Sequence, residues 1–133
     1  MPRLMSVTLT EDAVVERRKT VTRRLGWKFL KPGDRLTLCR KVMGRRKGDP
    51  LVRLAEVEVV DVRRERLWSI TDEDVEREGL RHDDGRFDEW YPETGYPSCV
   101  AWVQWFCEEM NVEPDDFVTR IEWRYLDAEA SAA

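Results

Sequence analysis

Four stretches of the chain alternate apolar and polar residues, and the rest of the pattern is helical or turn-like. Residues 4–9 alternate loosely and predict a first strand. Residues 35–42 set Leu36, Leu38 and Arg40 against Thr37, Cys39 and Lys41, a second strand. Residues 51–62 form a β-rich run built on Val52, Leu54, Val57, Val59, Val60 and Val62, with Glu56 and Glu58 marking a wet face. Parity changes near Val59 and Val60, which predicts a bulge. Residues 117–126 alternate well, with Val118, Arg120, Glu122 and Arg124 on one side of the pleat and Phe117, Thr119, Ile121, Trp123 and Tyr125 on the other.

Between these strands lie helix signals. Thr10 is placed to cap a short helix over residues 11–18, with Glu11 and Asp12 in the favourable first turn. Thr71 caps a second helix that runs to Glu78 and stops at Gly79, with Asp74 in the place of a capping-box acid. Ser98 caps a third, to Met110. Its Trp102, Val103, Trp105, Phe106 and Met110 recur at helical spacing and read as a core-facing stripe. Pro32 and Gly33 make a turn, residues 44–50 a basic hairpin loop, and residues 81–97 a long loop rich in Asp, Gly, Pro and aromatics.

The order β, α, β, β, α, α, β lacks a βαβ unit with a glycine-rich phosphate loop. It predicts an α+β fold, a small curled sheet or partial barrel with helices over its openings. At 133 residues one domain is expected, over residues 1–126, followed by a frayed tail, 127–133. No apolar run approaches the ~20 residues of a membrane span, and residues 1–10 have no signal-peptide core. A cytoplasmic protein without membrane contact is therefore expected. Cys39, Cys99 and Cys107 have no metal or disulfide spacing and read as reduced thiols, and His82 stands alone, so no metal or other cofactor is expected.

Charge is divided along the chain. Residues 1–66 hold eighteen Lys and Arg against nine Asp and Glu, and residues 67–133 hold five against eighteen, so the halves carry +9 and −13. Either the halves neutralise each other in the fold or a positive face is free for an anionic partner such as RNA, single-stranded nucleic acid or a nucleoside.

The densest chemistry lies in Lys19-Thr20-Val21-Thr22-Arg23-Arg24. Threonine favours extended backbone, so the segment reads as a loop or strand entry that presents hydroxyl and cationic groups. A basic turn in water is the plainer alternative. Thr22 offers a hydroxyl nucleophile that needs a base, and Lys19, crowded by Arg23 and Arg24, is one whose pKa burial and like charge lower. Glu78 could relay the proton to a leaving amine, or it could be a solvated helix charge. Arg23, Arg24 and Thr20 are candidate ligand-binding groups, with Trp27, Trp68 or Trp90 as stacking surfaces.

The same run, the turn Lys31-Pro32-Gly33-Asp34, the helix from Thr71 to Gly79 and the last strand together resemble the activating signal cointegrator homology (ASCH) domain, over most of residues 4–126. The resemblance implies a PUA-like β-barrel and RNA or nucleotide binding. It extends to phage-encoded relatives and to a branch of small amidohydrolases that deacetylate N4-acetylcytidine. In that branch a Lys, a Thr three residues on and a Glu in the later helix form the functional trio, here Lys19, Thr22 and Glu78, and Arg24 takes the place of the motif's closing Arg. The chain departs from the pattern at Arg17, where the family usually has Gly, and in the longer segment 81–110. Binding without catalysis, ribonuclease activity and a protein-interaction role for the acidic 81–96 segment are the other readings.

Overall fold

The β-branched run beginning near Leu51 becomes one fourteen-residue strand, Arg53–Arg66, in the computed structural model, which describes residues 2–42 and 46–126. In chain order the elements are β1 (Arg3–Ser6), α1 (Glu11–Val15), β2 (Val21–Arg24), β3 (Arg35–Cys39), β4 (Arg53–Arg66), α2 (Asp72–Glu78), α3 (Cys99–Met110) and β5 (Phe117–Tyr125). The five strands form one sheet in the order β1-β3-β4-β5-β2. β1 runs parallel to β3, and every other pair is antiparallel.

The sheet curls because β4 serves two neighbours in turn. Strand β4 pairs with β3 over residues 53–58 and with β5 over residues 57–66, and the register with β5 shifts between Val59 and Asp61. A bulge bends its strand and increases the local twist. The result is an α+β fold with a half-barrel sheet and three helices, with β1 and β2 as the free edges.

Hydrophobic burial occurs on both faces of β5. Ile121, Trp123 and Tyr125 join Met5, Val14, Leu36, Leu38, Val57 and Val59 in a first core inside the curl. Val118, on the opposite face, joins Leu67, Val75, Leu80, Phe87, Trp102 and Phe106 in a second core beneath α2 and α3. Strand β5 therefore forms the wall between the two.

Several boundaries depart from the sequence pattern for local reasons. The first strand ends at Ser6, because Val7 N bonds the Cys39 carbonyl and Thr10 N then bonds Val7, closing a 3₁₀ turn at Thr8–Thr10. Thr10 makes no side-chain cap, and α1 stops at Val15 rather than 18 because Arg17 is left-handed, φ +64°. Thr71 and Ser98 do cap α2 and α3, accepting from Asp74 N and Ala101 N. Residues 44 and 45 of the expected basic loop and the expected tail, 127–133, lie outside the described residues.

Gly79 ends α2 at φ +96°, and a Cβ there would lie 2.5 Å from Ala13 Cβ and 3.4 Å from Lys19 Cβ. The end of helix α2 is thereby pressed against α1 and the loop that follows it. Gly79→Ala is expected to lower stability by about 1–3 kcal/mol from backbone strain, with the clash adding to it. Urea unfolding measures this, and an unchanged midpoint would contradict the close approach.

Candidate functional site

Lys19 enters β2 with its backbone fixed on all sides. Its N–H donates to the Ala13 carbonyl at 3.2 Å, and its carbonyl accepts from Trp123 Nε1 at 3.0 Å and from the Tyr125 hydroxyl. Thr20 N donates to the Arg77 carbonyl at the end of α2, and Thr20 O accepts from Trp123 N. Two aromatic side chains of the first core and one turn of α2 thus hold the residue whose side chain is buried next to Glu78.

The ammonium of Lys19 donates to Glu78 Oε1 at 3.1 Å and to the Glu78 carbonyl at 2.9 Å. Glu78's other oxygen, Oε2, accepts from Arg23 Nη1 at 3.0 Å. Arg23 Nη2 also donates to Asp74 Oδ2 at 2.6 Å and to Glu65 Oε1 at 2.9 Å. Arg120, directly opposite Arg23 on β5, grips Asp74 with Nε at 2.8 Å and Nη2 at 3.2 Å. One connected set therefore runs Lys19–Glu78–Arg23–Asp74–Arg120. Lys19, Arg23, Asp74, Glu78 and Arg120 are each at most 6 % exposed.

The charges set one another's proton affinities. Burial pushes the Lys19 ammonium below its ordinary pKa; Glu78 opposes this, and Arg24 and Arg23 reinforce it. Burial alone would raise the Asp74 carboxyl, but hydrogen bonds from Arg120 and Arg23 and their charges hold it far below the carboxylate range. The hydrogen bond to Asp74 raises Arg120 against the effect of burial. Burial works to lower Arg23, and Glu78, Asp74 and Glu65 outweigh it.

Thr22 and Arg24 point to the other side of β2 from Arg23, as strand alternation requires. Thr22 Oγ1 accepts from Arg24 Nε at 3.3 Å, and Arg24 Nη2 donates to the Ser6 carbonyl at 2.6 Å. That last bond crosses from edge strand β2 to edge strand β1. A half-open cavity of ≈ 230 Å³ lies at this seam. Lys19, Thr22, Arg23, Arg24 and Glu78 line one wall, and Leu80 with Trp102, Trp105, Phe106 and Met110 of α3 lines another. The lining thus combines hydroxyls and cations with an aromatic set, the mixture a small ligand site uses. The Trp102 indole N–H and Arg23 Nε–H are buried without an acceptor among the described residues. Among the same residues no three His, Cys, Asp or Glu side chains are placed to hold a metal ion.

The structure brings together Lys19, Thr22, Arg23, Arg24 and Glu78 but not the other expected groups. Thr20 contributes backbone bonds and does not line the cavity. Trp27 packs against the first core with its ring 5.5 Å from Phe29. Trp68 donates to Asp115 Oδ1 and lines an exterior apolar groove with Val103 and Pro114. Trp90 stacks on His82 at 4.5 Å. Sequence reasoning missed the pairing of Asp74 with Arg120 and the part of α3 in the cavity wall. For the first, the sequence offered only an Arg at an alternating position of β5, and its burial is seen in the fold alone.

No family model matches this chain, and no curated protein matches it. Among solved structures it is similar to protein EF3133 from Enterococcus faecalis V583, whose family model is DUF984. The TM-score is 0.57 at 18% sequence identity, over 95% of this chain and 80% of that one. This likeness shows the fold.

Two outcomes follow from the buried charges. Asp74→Ala leaves Arg120 and Arg23 short of a counter-charge and is expected to cost about 3–5 kcal/mol. Asp74's folded pKa lies below its unfolded value of about 3.9, so its contribution is complete above that pH and is lost as pH falls toward the folded value. Urea midpoints should decline below about pH 4, and the decline should be shallower in Asp74→Asn; the same slope in both proteins would contradict the assignment.

Proposed function

We propose that the cavity binds a nucleoside or a nucleobase and hydrolyses an N-acyl amide on it. The observation that carries this reading is the meeting of Lys19, Thr22 and Glu78 at one cavity although 59 positions separate the first from the last. Two of the three, Lys19 and Glu78, form a buried ion pair at the cavity. The opposing aromatic wall suits a planar heterocycle.

In this reading Arg24 Nε occupies a lone pair of the Thr22 hydroxyl, so the hydroxyl hydrogen remains available to a base. The Lys19–Glu78 pair takes that proton as Thr22 Oγ1 adds to the amide carbon. The C–N bond breaks, the leaving amine takes the proton back, and water then releases the acyl group as a carboxylic acid. Arg24, which donates to the attacking Thr22 oxygen, is the nearby cation that would stabilise charge developing on the amide carbonyl oxygen. The resemblance to the ASCH domain and to its N4-acetylcytidine amidohydrolases supports the same assignment, as does a sheet compatible with a small PUA-like barrel. Arg23 departs from the expectation of a ligand-binding cation, because carboxylates occupy it.

A second reading, binding without chemistry, is favoured by the Glu78 contact itself, since a lysine that keeps its proton for Glu78 is no base. An RNA strand would then offer one unstacked base to the cavity. Incubation with N4-acetylcytidine, followed by chromatography for cytidine, separates the two. Turnover in the wild type that falls about 10²-fold or more in Lys19→Ala, Thr22→Val and Glu78→Gln is expected. Unchanged rates in all three would remove the hydrolytic reading, and absence of wild-type turnover with retained cytidine binding would leave the binding one.

A further inference from the structure

Arg24 is exceptional among the cations of the cavity. Lys19 has Glu78, and Arg23 has Glu78, Asp74 and Glu65, but no carboxylate lies in ion-pair reach of Arg24 among the described residues. Its two bonds, to Thr22 Oγ1 and the Ser6 carbonyl, use two of the five N–H groups of a guanidinium. Burial works to lower its pKa and the Glu78 charge, outside ion-pair contact, opposes this, yet a guanidinium keeps its proton in proteins. A largely enclosed cation without a counter-charge is costly unless an anion arrives. Among the described residues Glu78 is the one carboxylate lining the cavity, and both its oxygens are already taken. Thr10, whose side chain caps nothing in α1, lines the same space, together with Ser6, whose hydroxyl shares a hydrogen bond with Thr8 Oγ1 at 3.1 Å.

Resting on the reading of the cavity as a nucleoside site, we infer that Arg24, in a cavity that Thr10 and Ser6 also line, forms an oxyanion subsite, so that the ligand carries a phosphate or carboxylate group. Two molecules supply that chemistry. A nucleotide brings its 5′-phosphate, and a nucleoside acylated by a dicarboxylic acid brings a free carboxylate. In either case the heterocycle lies against the α3 aromatics and the anion at the seam between β1 and β2.

Calorimetry at low salt compares cytidine with cytidine 5′-monophosphate, and N4-acetylcytidine with N4-succinylcytidine. Inorganic phosphate alone is scored by its shift of the melting temperature. The anionic member of at least one pair is expected to bind about tenfold tighter, and the pair that shows the gap identifies the source of the anion. In Arg24→Gln the gap should close to less than twofold. Because Arg24 also bridges the two edge strands, Arg24→Lys provides a variant that keeps the charge without the fork, with an intermediate gap expected. In the wild type, added sodium chloride should weaken the anionic ligand more than the neutral one. Equal affinities within both pairs overturn the subsite while leaving the nucleoside reading intact. Phosphate stabilisation that disappears in Arg24→Gln, with no pyrimidine bound, supports the subsite and overturns the nucleoside reading. No response to any probe overturns the subsite.

Discussion

One guanidinium, that of Arg23, touches three carboxylates from two different elements: Glu65 of β4, and Asp74 and Glu78 of α2. Buried charge in a small domain is tolerable only when it is paired and hydrogen-bonded, so these partners cannot separate without a large cost. The pairing fixes where α2 lies on the sheet, and Arg120 fixes it a second time through Asp74. The position of Glu78 beside Lys19 follows from that placement. Replacing the set by apolar residues could be as stable, since buried ion pairs are weak contributors to net stability. What apolar packing would not provide is a carboxylate held between a lysine and an arginine.

Backbone constraints bring the other partner into place. The loop before β2 turns through Arg17, whose positive φ is a conformation glycine adopts at little cost. Arg17 offsets part of that cost by donating to the Val14 carbonyl at 2.8 Å and stacking over Tyr125. Across from it, Gly79 allows α2 to end close enough for Arg18 Nη1 to reach its carbonyl. The site thus sits where a helix terminus, a left-handed loop and a sheet edge meet. Side chains from β2 separate there by parity: Arg23 faces the ion set beneath α2, while Thr22 and Arg24 face the seam.

Much of the framework was legible from local pattern. Alternation located four of the five strands, while β2 was legible only as a loop or strand entry; the change of parity near Val59 located the bulge that bends β4, and Thr71, Gly79 and Ser98 marked helix ends by chemistry that acts within a few residues. Pairings across long separations were not legible. Asp74 has the spacing of a capping-box acid, yet its carboxylate turns inward to a strand 46 positions later. Trp102 and Phe106 read as core and are core, but the same stripe also walls the cavity, because α3 overhangs the gap between the two sheet edges. Trp27 and Trp68 have the residue type for stacking on a ligand, and only the fold shows that each is engaged elsewhere.

The account stands on an electrostatic environment around Lys19 that burial and two arginines dominate despite its contact with Glu78. The direct measurement is a heteronuclear NMR titration of the Lys19 side chain in the intact protein. A midpoint clearly below the ordinary lysine value of about 10.4 is the predicted result. A midpoint at or above that value would mean that the Glu78 pair outweighs burial, and that this lysine holds its proton too firmly to act on a ligand.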